Sequence, residues 1–286
     1  MAVMNFVTNH HDTYPAIDPT KADLSGKSVL ITGASKGVGR CAAARFAAAG
    51  CSKIALAARS SVAEVEKEVK AAAKQAQRPE PLVLGLEVDV TSEASVAAAA
   101  DKVAQEFGSL DVLINNAGYL ENWVPVGESK PTEWWRSWEV NVKGTYLCSH
   151  YFLPLVLKSE MRTVLNLSSA GGHNTNFGAS AYQTGKFAIC RFTEFLDREY
   201  ADQGLTAVVL HPGGVKTELA QNMPEQMHAW LIDTPELPAD VFVWLAKEKR
   251  DWLAGRFISA NWDVDELEAR KDEILAKDTL KFKMTI

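Results

Sequence analysis

The stretch Thr32-Gly33-Ala34-Ser35-Lys36-Gly37-Val38-Gly39 decides the fold. Before it, residues 28–32 are an apolar run of strand length. After it, residues 39–49 are rich in alanine and stop at Gly50, the pattern of a helix with a glycine terminus. Glycines let the chain turn sharply and let backbone N–H groups approach a pyrophosphate. The N-terminus of the following helix adds favourable partial charge. Strand, glycine-rich turn and helix in that order predict a phosphate-binding turn. An ordinary strand-to-helix connection is the competing reading.

Outward from this stretch the alternation continues. Strands are expected at 53–58, 82–88, 111–115, 162–167, 205–210 and 256–260. Helices are expected at 62–76, 92–107, 179–201 and 239–249, with a short one at 266–276. A long helix starts at Pro131, which suits a first turn, and runs past Asn141 to 157. Residues 217–237 read as an irregular lid with a short helix. Residues 1–24 are polar and without period, and read as an N-terminal extension. Residues 263–286 form a tail. Apolar strands alternating with helices build a parallel sheet covered on both faces. The expected fold class is α/β: one domain over 25–262, with a doubly wound parallel sheet of about seven strands. Ligands of such sheets bind beyond the carboxyl ends of the strands, so the residues of interest should follow strands.

Composition narrows the function classes. Of 286 residues, 47% are hydrophobic and 23% charged, which fits a folded globular chain and not a disordered one. The formal net charge of -6 comes with no basic stripe, so nucleic acid is not an expected partner. No apolar run reaches the roughly 18 residues of a membrane span. The first 25 residues carry one cation, Lys21, and no apolar core, so they do not read as a secretory signal. Cys41, Cys51, Cys148 and Cys190 form no C-x-x-C pair and read as reduced, mostly buried thiols. A cytoplasmic setting follows from them. His10 and His11 are adjacent and the other histidines scattered, so no metal site is expected.

Further short motifs follow the later strands. Asp89-Val90 follows the third, and Asn115-Asn116-Ala117-Gly118 closes the fourth. Asn141-Val142-Lys143-Gly144 lies in the long helix, and Ser169 ends the fifth strand. Tyr182 and Lys186 come next, then Pro212-Gly213, Val215 and Thr217 after the sixth. In order and spacing these motifs resemble the short-chain dehydrogenase/reductase family over roughly residues 24–262. The resemblance implies a Rossmann-type sheet and a dinucleotide cofactor. The positions it marks for cofactor binding are Gly33, Ser35, Lys36, Gly37, Val38, Gly39, Arg59, Asp89, Val90, Asn116, Ala117, Gly118, Tyr182, Lys186, Pro212, Gly213, Val215 and Thr217. Asp89 would contact the adenine.

The end of the second strand bears on the choice of cofactor. An acidic residue there would hold the ribose 2′-hydroxyl of NAD. This chain has Ala58 and then Arg59. A 2′-phosphate needs positive charge, and a guanidinium can grip it with two hydrogen bonds. Lys36 offers a second cation. Both positions resemble NADP(H)-preferring members, so NADP(H) is the expected cofactor. Two merely solvated cations are the competing reading.

Tyr182 and Lys186 stand at i and i+4, on one face of a helix. A free tyrosine has a pKa near 10 and is a poor acid–base group at neutral pH. A nearby ammonium favours the phenolate and is expected to lower that pKa. By resemblance Tyr182 exchanges the proton of the substrate oxygen and Ser169 hydrogen-bonds that oxygen. Lys186 also binds the nicotinamide ribose, and Asn141 supports a water connecting Lys186 to solvent. For Asn141 a helix-kink role competes. Ser169 is preferred to Ser168 because its spacing to Tyr182 fits the family.

The substrate pocket should be walled by segments after strands four, five and six. Candidates are Tyr119, Trp123, His173, Phe177, Met223, Met227 and Trp230, each with ordinary packing as the rival reading. A medium-sized, largely apolar ketone or aldehyde is expected. Imine reduction, epimerisation or dehydration in a biosynthetic pathway, and a non-catalytic NADP(H) sensor, remain alternatives. The tail past Trp262 departs from many family members and resembles a fungal set tied to secondary metabolism. The family implies a homodimer or homotetramer.

Overall fold

Seven parallel strands form one sheet in the order β3-β2-β1-β4-β5-β6-β7. They are β1 Ser28–Thr32, β2 Lys53–Ala58, β3 Leu82–Glu87, β4 Val112–Asn115, β5 Thr163–Leu167, β6 Thr206–His211 and β7 Phe257–Ser259. The computed structural model describes residues 6–284. Residues 1–5 of the extension and 285–286 of the tail lie outside the described residues. Successive side chains on a strand point to opposite faces, and here both faces are covered. Ile31, Leu56 and Ile114 pack on one side with Phe46 of helix α1 (Gly37–Ala48), Val69 of α2 (Ala63–Gln75) and Phe242 of α7 (Glu236–Lys247). Leu30, Ala55 and Leu113 pack on the other with Val103 of α3 (Glu93–Phe107), Phe152 of α5 (Gly144–Val156) and Leu196 of α6 (Ser180–Tyr200). The strand order reverses direction between β1 and β4, which opens a crevice at their carboxyl ends.

The expected long helix is not continuous. It is α4 (Pro131–Trp138), a π-helical turn (Glu139–Lys143) and then α5. The cause is Asn141. Its Nδ2 donates to the Tyr119 carbonyl at 2.7 Å, and its Oδ1 accepts from the Tyr119 N–H at 3.1 Å. The Asn141 carbonyl accepts from the Thr145 hydroxyl at 2.7 Å. Those bonds lock the widened turn, a feature frequent at functional sites. The tail helix is also divided, into α8 (Val264–Ala269) and α9 (Lys271–Lys277), at Arg270. The Arg270 side chain there reaches the Phe6 carbonyl at 2.6 Å. Helix α7 starts at Glu236, three residues before the expected start, because Pro238 is tolerated in a first turn.

Residues 6–24 lack period because they pair with distant loops, not with a regular neighbour. The His10 N–H donates to Asn261 O at 2.6 Å, and the Asp263 N–H donates to Thr8 O at 2.9 Å. Tyr14 stacks on His10 and gives its hydroxyl to the Trp262 carbonyl. Ile17 and Leu24 are buried in the main core.

Candidate active site

A cleft of about 1000 Å³ opens at the switch in strand order. Ser35, Lys36, Gly37, Val38, Arg59, Asp89, Asn116, Tyr182 and Lys186 border it. The glycine turn is shaped for close approach. Gly33 and Gly37 have positive φ, +66° and +57°, which glycine adopts without strain. A Cβ on Gly39 would lie 2.6 Å from the Gly33 carbonyl oxygen, so no larger residue fits there. Gly39 does not itself border the cleft. It lets the helix pack down onto the turn.

Asn116 stitches this turn to the end of β4. Its Nδ2 donates to the Thr32 carbonyl at 2.7 Å, while the N–H groups of Asn116 and Ala117 both donate to the Thr32 hydroxyl at 3.0 Å. Ala117, Gly118, Val90, Pro212, Val215 and Thr217 complete the wall. Gly213 lies behind it with φ +87°, where Asp233 approaches. Burial pushes the Asp89 carboxyl up, but the Thr91 N–H and hydroxyl outweigh this and hold it below the usual carboxylate range. It stays an acceptor at the cleft's edge.

Besides the buried Lys186, the cations Lys36, Arg40, Arg59 and Lys216 border the cleft, and Arg40 is paired with Glu68. Arg59 is exposed, and among the described residues no hydrogen bond or ion pair occupies its guanidinium. Lys36 pairs with Glu218 at 2.7 Å, but both side chains are exposed and such a pair is weak. Backbone cradle and volume fit a dinucleotide.

The first turns of α6 carry Tyr182 and Lys186 under β5. Ser169 hydrogen-bonds Tyr182 and accepts the Gly171 N–H at 3.0 Å. Ser168 borders the cleft and Ser169 does not, yet the Ser168 hydroxyl is committed to the Lys186 carbonyl at 2.8 Å. The Lys186 Nζ donates to the Leu167 carbonyl at 2.8 Å and lies 5.5 Å from the Tyr182 ring centroid. The expected lowering of the tyrosine pKa is absent from this arrangement. Burial pushes Tyr182 up to about 12, the Ser169 bond opposes that, and the Glu121 charge adds to it. Burial likewise pushes Lys186 down to about 8. Desolvation outweighs the attraction between the two groups. Asn141 is buried and holds the Tyr119 backbone as described.

The substrate-side residues are more scattered than expected. Tyr119 gives its hydroxyl to Glu133 at the edge of a second cavity of about 490 Å³. Trp123 packs beside Gly178. His173 borders neither cavity, because its ring stacks on Phe282 and meets Phe257 edge-on beneath the tail. Phe177 is 83% exposed. Met223, Met227 and Trp230 ride on the short turns of the lid and border neither cavity. The residue that sequence reasoning missed is Glu121. It is 6% exposed, and its Oε1 accepts the Tyr182 N–H at 2.9 Å. No spacing rule marks it.

Among the described residues no group of His, Cys, Asp or Glu could hold a metal ion, and no helix is long and apolar enough to cross a membrane. The fold and the cleft together define a dinucleotide-binding α/β protein. The family model described as short chain dehydrogenase matches residues 27–228. The short chain dehydrogenase mpl6 of Monascus purpureus is 54% identical over 277 residues, covering 97% of this chain and 95% of that protein. The short chain dehydrogenase pigC of Monascus ruber is 46% identical, covering 96% of this chain and 92% of that protein. A solved Shigella flexneri short chain dehydrogenase complexed with NADP is similar at TM-score 0.73 and 27% identity, covering 84% of this chain and 99% of that one. This chain belongs to the short chain dehydrogenase family of oxidoreductases. The family uses NAD(P)(H) on small molecules, and the relatives named from Monascus are fungal.

Proposed function

We propose that the chain is an NADPH-dependent carbonyl reductase. The observation that carries this reading is Tyr182, hydrogen-bonded by Ser169, and buried Lys186, both bordering a cleft rimmed by Arg59 and Lys36. The cofactor, when bound, supplies the hydride. Gly33, Gly37 and the start of α1 would hold its pyrophosphate. Arg59 and Lys36 would hold the 2′-phosphate. The NADP complex of the Shigella flexneri relative supports this choice.

The chain's own residues manage the proton. Ser169 donates a hydrogen bond to the substrate oxygen and fixes its position. Tyr182 gives its phenolic proton to that oxygen as negative charge develops there. Protonated at neutral pH, with its pKa near 12, it is supplied as an acid. Lys186 steadies the phenolate that remains once its ammonium turns from the Leu167 carbonyl. Asn141, through its hold on Tyr119, keeps the wall beside Tyr182 in place. A cytoplasmic location is supported by four buried or half-buried reduced thiols, each pushed up to about 12 by burial. A homo-oligomer is supported by Trp135, Tyr146, Phe187 and Phe195, exposed on α4, α5 and α6.

The test is NADPH oxidation against a panel of ketones, aldehydes, quinones and cyclic imines. NADH and Tyr182→Phe are the controls. Turnover is expected on a carbonyl, faster with NADPH. Tyr182→Phe should lose about 10²- to 10⁴-fold in kcat while still binding NADPH. Equal turnover in the variant would reject Tyr182 as the acid. Amine products would move the assignment to imine reduction.

A further inference from the structure

One ring of the tail touches both elements that carry the site. Phe282 stacks on His173, with centroids 4.4 Å apart and planes 25° apart. It meets Phe187 edge-on, at 4.9 Å and 90°. His173 closes the short turn Ala170–Gly172 that starts from Ser169, and Phe187 follows Lys186 on α6. The ring therefore lies between the turn that holds Ser169 and the helix that holds Tyr182 and Lys186.

The backbone of Phe282 is fixed to that helix. Its N–H donates to Glu194 Oε1 at 3.1 Å, and its carbonyl accepts from Arg191 Nη2 at 2.8 Å. Both partners stand on α6 and pair with each other. Just upstream, the Phe257 N–H donates to the Leu280 carbonyl at 2.8 Å. Arg256, nearly buried, donates to Asp278 Oδ1 at 3.0 Å and to the Thr279 carbonyl at 2.6 Å. The tail thus ties α6 to the edge strand β7 and stops its ring against the turn after β5.

The start of that turn is held by polar bonds and its end by packing. The Ala170 N–H reaches His211 Nδ1 at 3.0 Å, and Ser169 Oγ takes the Gly171 N–H. At the end, His173 Nε2 is buried and has no partner among the described residues. Burial pushes the His173 pKa down, so the ring is uncharged at neutral pH. Its contacts with Phe282 and Phe257 hold it.

We propose that Phe282 is a positioning residue of the active site. Seated against His173 and Phe187, it sets the reach of Ser169 to Tyr182, which makes the tail part of the site's scaffold. This rests on the carbonyl-reductase reading for what Ser169 and Tyr182 do. The test is Phe282→Ala in the full chain. It is read by deuterium uptake over residues 169–173, by NADPH affinity, and by kcat and KM on a carbonyl that the wild type reduces. Uptake should rise and kcat fall about 10- to 100-fold, as for a misplaced catalytic group. NADPH affinity should hold, because neither Phe282 nor His173 borders the cleft. Phe282→Leu, which keeps apolar bulk, should recover much of the kcat. In a Ser169→Ala background Phe282→Ala should add little, since no hydroxyl remains to be misplaced.

Unchanged uptake, unchanged kcat, or an equal loss with and without the Ser169 hydroxyl overturns the assignment. If Phe282→Ala does not fold, Phe282→Leu takes its place in each comparison. If Ser169→Ala leaves no turnover to compare, uptake and kcat of the single variants decide. Raised uptake in an enzyme that oxidises NADPH with no carbonyl rejects the reductase reading and leaves the brace on the turn standing.

Discussion

The half of the molecule that frames the cofactor cleft and the half that closes over it are built by different means. In the first, each contact joins residues fixed by short motifs. Asn116 reaches the Thr32 carbonyl at 2.7 Å, and Gly39 nests on the Gly33 carbonyl. In the second, the contacts span most of the chain. His11 pairs with Asp233 across 222 positions at 2.5 Å, and Asp233 in turn takes the Gly214 N–H at 2.5 Å. The first half therefore depends on residue type at a position. The second depends on partners that no local pattern announces.

The sharpest way to break the first half is Gly39→Ala. The added methyl would sit 2.6 Å from a backbone oxygen and 2.5 Å from Asn116 Nδ2, and backbone yields less readily than a flexible side chain. Loss of measurable NADPH binding is expected, with a stability cost of about 1–3 kcal/mol. Wild-type affinity in this variant, measured by cofactor fluorescence, would show that the turn relaxes freely.

The second half is expected to break with acid. The Ala170 N–H donates to His211 Nδ1 at 3.0 Å, which requires that nitrogen to be unprotonated. Burial pushes the His211 pKa down from its ordinary 6.5 to about 4, with Asp233 opposing and His173 adding to the shift. Between those values the unfolded chain binds the extra proton and the folded chain does not. Stability from this group is thus complete above pH 6.5 and is lost as the pH falls toward 4, by about 3 kcal/mol at most. Urea unfolding of the wild type and of His211→Asn across that window checks it. Parallel curves for the two would remove His211 from the account.

What was legible follows the same division. All seven strands could be placed from apolar runs, because a sheet buried on both faces leaves little room for polar residues within a strand. Tyr182, Lys186, Ser169 and the glycine turn stood out because their chemistry demands a spacing. At Asn141 the sequence offered a helix kink only as a rival reading, because the π-helical turn is locked by bonds to the Tyr119 backbone, 22 positions away. His173 read as a pocket residue because it follows β5, yet Phe282, more than a hundred positions later, draws its ring under the tail. Glu121 had no signal at all. Its meaning comes from the backbone N–H of Tyr182 beside it.

The rim of the first half offers a smaller effect. Arg59 is exposed and unoccupied among the described residues, so removing it disturbs no packing. Arg59→Ala should lower the NADPH-over-NADH preference in kcat/KM by about 10- to 100-fold, as for a hydrogen bond between charged groups. The NADH arm should hardly move. An unchanged preference would move the discrimination to the other cations bordering the cleft, Lys36, Arg40 and Lys216.

The smallest expected effect probes how far the two halves are coupled. Asp233 is nearly buried, holds the Gly214 N–H with Oδ2 and gives its own N–H to the Gly214 carbonyl at 3.0 Å. It thereby sets the turn whose flanking residues, Pro212 and Val215, wall the cleft. His11 holds the other oxygen, but its ring is 58% exposed, so solvent replaces much of what it gives. His11→Ala should therefore raise the NADPH KM only about two- to five-fold, within the reach of an exposed pair, and leave kcat nearly unchanged. A fall in kcat with KM unmoved would mean that the arm acts on substrate closure and not on the cofactor turn. No change in either would uncouple residues 6–24 from the cleft and limit them to bracing the lid and tail.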